Sequence, residues 1–326
     1  MTQAVPSNVA ASVKQRLLNR ARERKEDFNL LLTKYGLERI LYRIGQSKYK
    51  DLFVLKGALL FELWTEQRYR PTRDADFLSK GESRPERYQQ IFEEICNLDV
   101  EEDGVRFDQS TVKVEKIKED QDYEGLRVTF TGFMEAARLP VQIDIGFGDA
   151  VTPGPIEADF PTLLQSPAPR LLSYPRETVI AEKFEAMVKL GIANTRMKDF
   201  HDLKTLSELF HFESEPLVNA IRRTFERRKT TLPVDEPPIA LTDEFYRDAT
   251  KTAQWNAFIA KNKFYIQPSS LESVTTSIRE FVMPLMQSEI QSGEGRLHWE
   301  PSKSWAAVVI GGPSIMETQL PRSDNR

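Results

Sequence analysis

Three aspartates have the residue type and spacing that metal chemistry requires. Asp74 and Asp76 stand at positions i and i+2 of RDADFL, and Asp144 is the one charged residue of VQIDIGF. Positions i and i+2 of a strand project from the same face, and the repulsion between two such carboxylates is relieved by a cation. Mg²⁺ fits, because it takes a few carboxylate oxygens and leaves positions for water and phosphate. If the strand of Asp144 lies beside residues 74–78, the three carboxylates meet at one edge of a sheet and suit a site for phosphoryl chemistry.

Each of these acids also has a purely structural interpretation. An acid-x-acid triplet is common in a chain with 49 acidic residues among 326, so Asp74 and Asp76 are also consistent with a pair close to a turn. Asp144 alone is typical of a carboxylate that caps a loop or pairs with an arginine. The aspartates therefore indicate a metal site only together with other motifs.

A lysine on an amphipathic helix is the second candidate. The segment YPRETVIAEKFEAMVKLG places Pro175 near the first helical position and Lys183 on the same face as Val179 and Leu190. An ammonium beside such an apolar wall suits a triphosphate. The alternative is a surface lysine whose stem covers apolar surface while its amine pairs with a nearby glutamate.

The segment NTRMKDFHDL, residues 194–203, is the third candidate. Asp199 and Asp202 stand at i and i+3 and so share one helix face. Asp199 near the helix start is also typical of a carboxylate favoured by the helix dipole. Asp202 would orient Lys183 or accept a proton from an acceptor hydroxyl, whereas His201 is interpreted as structural. Which aspartate is the functional acid stays open at this point.

Composition and charge exclude several classes of protein. The single cysteine, Cys96, cannot form an internal disulfide, and with three scattered histidines no Cys/His zinc site is expected. No apolar run of membrane length and no signal peptide are present, so we expect a cytoplasmic protein without membrane contact. Residues 1–50 hold 11 basic and 4 acidic residues, and a second basic cluster lies at 222–229. Such patches suit nucleic-acid phosphates, although a solvated helix face explains any single patch.

The elements predicted around the candidates describe an α+β chain. Alternating apolar residues in GLRVTF and VQIDIGF predict strands, and the Pro-bearing segment 152–169 is interpreted as a connector. We predict an N-terminal domain over 1–155, a helical domain over 170–290, and a loosely ordered tail over 291–326 that Trp299 and Trp305 could anchor. Helical periodicity predicts helices over 27–45, 84–97, 176–190, 198–211, 215–228, 242–262 and 271–291.

In this order the motifs resemble the AbiEii/AbiGii nucleotidyltransferase toxins, which include the MenT toxins, within the DNA-polymerase-beta-like nucleotidyltransferase superfamily. FVLKGALLFELW followed by RPTRDADF is similar to the first family motif, and VQIDIGFGD is similar to the second. ETVIAEKFEAMVKLG resembles the third and RMKDFHDL the fourth. The similarity extends from ASVKQRLLNRARE to the helices near residue 260. Four motifs in the right order make it more specific than any one alone.

The resemblance implies a nucleotidyltransferase fold, in which helices flank a mixed β-sheet, with a helical C-terminal domain. It implies the toxin of a type IV toxin–antitoxin pair, AbiE-like and active in phage defence, whose antitoxin is encoded by a neighbouring gene. Such a toxin transfers a nucleotide from an NTP, with Mg²⁺ or Mn²⁺, to RNA. For the MenT toxins the acceptor is tRNA, so transfer to the tRNA 3′ end that blocks translation is the leading hypothesis.

Carried over to this chain, the resemblance implies a role for each candidate residue. Asp74 and Asp76 would ligate the metal and Asp144 would complete the acidic set. Lys183 would hold the triphosphate with Asp202 as its partner, and Gly57 would let the backbone approach phosphate. The remaining nucleotide-binding candidates are Thr72, which matches a hydroxyl position of related toxins, together with Arg73, Arg196, Lys198 and Asp199.

The chain departs from the superfamily pattern at its first turn. Ala58 follows Gly57 where the superfamily has Gly-Gly or Gly-Ser, and fifteen residues separate Ala58 from Asp74, a longer spacing than usual. Two other functions agree with the same residues. One is a nucleotidyltransferase that modifies a protein or a small molecule, and the other is an inactive fold that serves as a binding module.

Overall fold

Two helices open the part of the chain that the structure describes. The structure is a computed structural model, and it describes residues 8–65, 69–120, 123–287, 290, 296–301 and 303–307. Helix α1 spans Val9–Arg24 and α2 spans Phe28–Gln46. Each begins at a side-chain cap, since the carboxamide of Asn8 accepts from the backbone N–H of Ala11 and the carboxylate of Asp27 accepts from that of Leu30. The helix predicted over 27–45 corresponds to α2.

A mixed sheet of seven strands in the described chain forms the centre of the N-terminal part. Strands β2 (Ala75–Ser79) and β5 (Ala137–Phe147) run parallel, as do β1 (Phe53–Lys56) and β7 (Arg170–Ser173), while the other neighbours run antiparallel. Helices α3 (Leu60–Trp64) and α4 (Pro85–Cys96) follow β1 and β2 in the chain, and the predicted mixed sheet flanked by helices is confirmed. The strands are β1 (Phe53–Lys56), β2 (Ala75–Ser79), β3 (Arg106–Asp120), β4 (Tyr123–Met134), β5 (Ala137–Phe147), β6 (Ile156–Asp159) and β7 (Arg170–Ser173), in the spatial order β3-β4-β5-β2-β1-β7-β6.

Within the described part of the main sheet, three strands lie where no strand was predicted. Strand β3 pairs with β4 alone and is an edge strand, so its outward positions take charged residues that hide the period-two pattern. Strand β6 at the opposite edge lies inside the segment interpreted as a connector. Strand β7 extends the sheet, although its residues were assigned to the helical domain. Edge strands lack the continuous apolar run of central strands.

Helices dominate after residue 175, as predicted. The helix predicted over 242–262 is split at Asp248, whose carboxylate caps the next helix by accepting from the N–H of Lys251. The helix predicted over 271–291 ends at Val282, and a short 3₁₀ turn that contains Pro284 follows it. The helices are α5 (Arg176–Leu190), α6 (Met197–Leu209), α7 (Ser214–Arg228), α8 (Asp243–Arg247), α9 (Ala249–Lys261) and α10 (Leu271–Val282).

A small second sheet joins the start of α7 to the C-terminal region. It consists of β8 (Phe212–Glu213), β9 (Leu297–Trp299) and β10 (Trp305–Ala307) in the order β10-β9-β8. The indole N–H of Trp299 donates to the carbonyl of Ser207 and that of Trp305 donates to the carbonyl of Phe281. These two tryptophans anchor the described part of the predicted tail, while residues 308–326 lie outside the described residues.

The apolar side chains of both parts form one continuous core, which includes Phe61 of α3 and Phe184 and Phe225 of the helical part. The sheet and the helices that follow it are therefore packed directly against each other. Within the described residues, no helix has both the length and the apolar character that crossing a membrane requires.

Candidate active site

A cavity of about 240 Å³ lies between the main sheet and helices α5, α6 and α7. The sheet side contributes the ends of β1 and β2, and the helical side contributes a set of cationic residues. Of the predicted site residues, those that line the cavity are Gly57, Asp76, Lys183, Arg196, Lys198 and Asp199. Thr72, Arg73, Asp74, Asp144 and Asp202 lie outside its lining.

Four charged residues form a row across the sheet next to this cavity. Asp76 of β2 is the register partner of Lys56 on β1 and of Asp144 on β5, and Asp144 is the register partner of Arg127 on β4. Register partners on neighbouring strands project from the same face. The two carboxylates therefore lie side by side between a lysine and an arginine.

The Asp76 carboxyl is the most perturbed acid of this row. Burial and the neighbouring charge of Asp74 raise its pKa to about 6, Lys56 and Lys198 act in the opposite direction, and Asp144 raises it further. A half-buried carboxyl among like charges is in the situation that a hard divalent cation relieves. The hydroxyl of Thr72 donates to the carboxylate of Asp74 and so orients it. The oxygen donors of Asp74 and Asp76 therefore fit Mg²⁺ or Mn²⁺.

Asp144 is held by an arginine. The guanidinium of Arg127 donates from Nε and Nη2 to its two carboxylate oxygens at 2.8 and 2.7 Å, a bidentate arrangement. Across the described ranges, the ligand atoms of the three aspartates do not all lie within 4.8 Å of one another. The arginine pairing considered from the sequence is thus present, and metal ligation by Asp144 stays a prediction.

Lys183 lies on α5 and points at two aspartates of α6. Its Nζ is 2.7 Å from Oδ1 of Asp199 and 2.8 Å from Oδ2 of Asp202. Burial alone would lower the pKa of the ammonium, but Asp199 and Asp202 raise it above its usual value. Lys183 is therefore a permanent cation near neutral pH, suited to binding phosphate rather than to accepting a proton.

Asp202 is almost fully buried, and its partners account for both of its oxygens. Arg70 donates to them from Nε and Nη2 at 2.9 and 2.7 Å, and the hydroxyl of Tyr69 donates to Oδ1. Burial would raise the pKa of Asp202, but Arg70 and Lys183 hold it well below its usual range. Asp202 is therefore an ionised acid outside the lining of the cavity, whereas Asp199 lines it.

Gly57 permits the close approach of the first motif to Asp76. Its φ is +76°, a conformation that favours glycine. A Cβ atom at this position would lie 2.0 Å from Oδ2 of Asp76 and 2.8 Å from its Cγ. The glycine is required by the space that the Asp76 carboxylate occupies and by the backbone conformation together.

Comparison with known protein families identifies the chain. The sequence model described as "Nucleotidyl transferase AbiEii toxin, Type IV TA system" matches residues 39–277, which is more than half of the chain. The chain belongs to the AbiEii family. The resemblance drawn from the four motifs is thus confirmed, and the protein is a nucleotidyltransferase of a type IV toxin–antitoxin family.

Solved structures similar to this AbiEii protein include two from Helicobacter pylori. JHP933 is 14% identical with a TM-score of 0.46, and the match covers 78% of this chain and 91% of JHP933. A protein described provisionally as a nucleotidyltransferase is 14% identical with a TM-score of 0.43, and the match covers 78% of this chain and 93% of the other. A search of curated proteins finds no match.

The sequence reasoning missed several charged residues of this AbiEii site. Lys56 and Asp149 line the cavity and form an ion pair at 3.8 Å, and Arg228 binds Asp149 at 3.1 Å and Glu185 at 2.9 Å. Lys56 had a signal in the sequence, because it is a charge at the end of an apolar strand directly before Gly57. Arg228 was noted only as part of a basic cluster.

Proposed function

We propose that this AbiEii toxin transfers a nucleotide from an NTP to the 3′ end of tRNA, with Mg²⁺ or Mn²⁺ as cofactor. The observation that carries the proposal is that Asp76 and Lys183 line the same cavity from opposite sides. Acidic groups for metal lie on the sheet side, and cations for phosphate lie on the helical side. A nucleotidyltransferase requires both, because a triphosphate must be held while charge develops on its leaving group.

The triphosphate binds against the cations of the helical side. Lys183 supplies a half-buried ammonium that Asp199 and Asp202 keep protonated. Arg196 and Lys198 line the same cavity from the start of α6. These cations neutralise the phosphates of the NTP and the pyrophosphate that leaves. Gly57 lets the backbone of the first motif approach the phosphates.

Asp74 and Asp76 would hold the metal, and Asp144 would complete the acidic set beside them. When bound, the metal lowers the pKa of the acceptor hydroxyl and neutralises developing charge. A bond forms between the acceptor oxygen and the α-phosphorus, the bond from that phosphorus to the bridging oxygen breaks, and pyrophosphate leaves. The hydroxyl proton passes to water. Thr72 keeps the Asp74 carboxylate oriented through its hydrogen bond.

The acceptor RNA binds to the basic surfaces at 14–25 and 222–229. Helix α7 carries exposed Arg222 and Arg223, and its last residue, Arg228, lines the cavity. One basic helix therefore extends from the surface to the site. Binding of RNA phosphates along this helix would release counterions and so favour association. Addition of a nucleotide to tRNA would block translation in the cytoplasm, which suits a toxin that is neutralised by an antitoxin and acts in phage defence.

A labelling experiment tests this function. The protein is incubated with Mg²⁺, total RNA and each of the four NTPs labelled at the α-phosphate, and the products are separated by size. We expect label in RNA of tRNA length and no transfer from the same NTPs labelled at the γ-phosphate. The Asp76→Asn variant should transfer no label, while the exposed control Asp51→Asn should match the unaltered protein. Label in protein or in small molecules alone would contradict the RNA acceptor.

A further inference from the structure

Two of the three histidines of the chain lie together on the small second sheet, outside the lining of the candidate active site. His211 directly precedes β8, and His298 is the middle residue of β9. Their rings are stacked with centroids 5.6 Å apart and an interplanar angle of 20°. Together with Glu300 they form a group whose potential ligand atoms all lie within 4.8 Å of one another.

The strand register explains why these side chains meet. In the antiparallel pair of β8 and β9, Phe212 is the partner of Trp299 and Glu213 is the partner of His298. The same register, extended by one residue, sets His211 opposite Glu300. Because side chains alternate between the two faces of a strand, Phe212 and Trp299 point into the core, where they are buried. The two histidines and the two glutamates occupy the opposite, solvent-facing side.

The hydrogen bonding of His298 is already that of a metal ligand. Its Nδ1 lies 2.7 Å from Oε1 of Glu213, and its Nε2 lies 3.7 Å from Oε1 of Glu300. Histidines that bind metals usually donate the other ring N–H to a carboxylate, which fixes the ring and its tautomer. Zinc bonds of about 2.0–2.2 Å hold tetrahedral ligand atoms about 3.3–3.6 Å apart, so the separation of Nε2 and Oε1 is close to that of two ligands.

We infer that His211, His298 and Glu300 form a zinc site that links β8 to β9. Imidazole nitrogens select Zn²⁺ over Mg²⁺, which prefers oxygen, so this site is chemically distinct from the carboxylates beside the cavity. Lys303 binds Oε2 of Glu300 at 2.8 Å and leaves Oε1 directed toward His298. These residues supply three of the four ligands of a tetrahedral zinc ion. Because His211 is exposed, water can occupy the fourth position. The linear sequence hides the cluster, because 86 residues separate the two histidines.

Calorimetric titration with Zn²⁺ tests the site, and excess Mg²⁺ is present to occupy the hard oxygen donors. We expect the full chain to bind one Zn²⁺, and its melting temperature to rise with the metal. The His211→Ala and His298→Ala variants should both lose this binding and the rise in melting temperature. Co²⁺ in place of Zn²⁺ should show the intense visible absorption of a tetrahedral site in the unaltered chain alone.

Three further variants distinguish the zinc ligands from the acidic residues around them. Glu213→Gln should weaken Zn²⁺ binding by roughly 10–100-fold, as expected for a residue that only orients a ligand. Glu215→Gln is the matched control, because Glu215 is an exposed neighbour that pairs with Arg296, and it should bind Zn²⁺ normally. Asp76→Asn should also bind normally. Absence of binding by the unaltered chain, or retention of Zn²⁺ by either histidine variant, would overturn the inference.

Discussion

Asp76 and Asp144 are register partners in the parallel pair of β2 and β5, so two acids from distant motifs lie next to each other on one face of the sheet. The charged groups around the two acids determine the state of each carboxyl. Burial and Asp74 raise the pKa of Asp76 to about 6 against the opposing effect of Lys56 and Lys198, while Arg127 binds both oxygens of Asp144. The sheet therefore leaves the Asp76 carboxyl available as a metal ligand and keeps the Asp144 carboxyl in an ion pair with Arg127.

The free energy of unfolding should depend on pH, because ionisation of Asp76 is unfavourable in the folded protein. Its pKa rises on folding from an ordinary 3.8 to about 6. An acid that holds its proton more tightly in the folded state destabilises that state as the pH rises through this window. Without divalent metal, Asp76→Asn should therefore raise the free energy of unfolding by about 2–3 kcal/mol at pH 8 and by little at pH 3.5. Urea denaturation at both pH values, with exposed Asp51→Asn as control, measures this. An equal effect at both pH values would contradict the raised pKa.

Gly57→Ala should destabilise the protein and abolish nucleotide transfer. The new methyl group would overlap the Asp76 carboxylate, in addition to the strain of a positive φ. Gly191→Ala separates the two effects, because Gly191 has a φ of +50° and a Cβ there meets nothing within 4 Å. The control should lose about 1–3 kcal/mol of stability, the cost of a strained backbone conformation, and keep its activity. Gly57→Ala should lower transfer by at least about 100-fold, since displacement of a reacting group by about 1 Å costs that much. Equal activity of the two variants would contradict a role for the Gly57–Asp76 contact.

Arg70→Gln should be among the most destabilising changes in the loop before β2. It removes two charge-assisted hydrogen bonds from Asp202, which is buried and ionised. Loss of one partner of a buried ion pair costs about 3–5 kcal/mol, although Lys183 offsets part of it here. Arg73→Gln, at an exposed position of the same loop, should change stability by less than about 0.5 kcal/mol. Chemical denaturation of both variants provides the comparison, and similar unfolding midpoints would show that Asp202 does not depend on Arg70.

Arg127→Gln should increase the affinity for Mg²⁺. It releases Asp144 beside Asp76 and removes a competing positive charge. A partly exposed ion pair is worth about 0.2–1 kcal/mol, so the Mg²⁺ concentration at half-maximal thermal stabilisation should fall by a factor of roughly 1.4 to 5. Arg138→Gln, an exposed arginine on β5, is the matched control. If the midpoint of Arg127→Gln does not move, Asp144 takes no part in binding the metal.

The sequence located the local elements that carry the site. Helix α5 was predicted over its full length, and its Lys183 was recognised from its position on an apolar face. The strand predicted over 74–78 corresponds to β2, which begins and ends one residue later. Such features follow from side-chain periodicity within one turn or a few strand residues, which the order of the amino acids contains in full. The order of the four motifs was sufficient to indicate the family.

Only the tertiary structure determines which polar and charged side chains come into contact. Arg127 with Asp144, Arg70 with Asp202, and His211 with His298 are each brought together by strand register or by helix packing. No local pattern encodes these pairs, because the partners lie far apart in the chain and a shift of one residue in register would turn a side chain to the other face. The edge strands β3 and β6 escaped prediction for a related reason, since pairing on one side only removes the apolar pattern by which central strands are recognised.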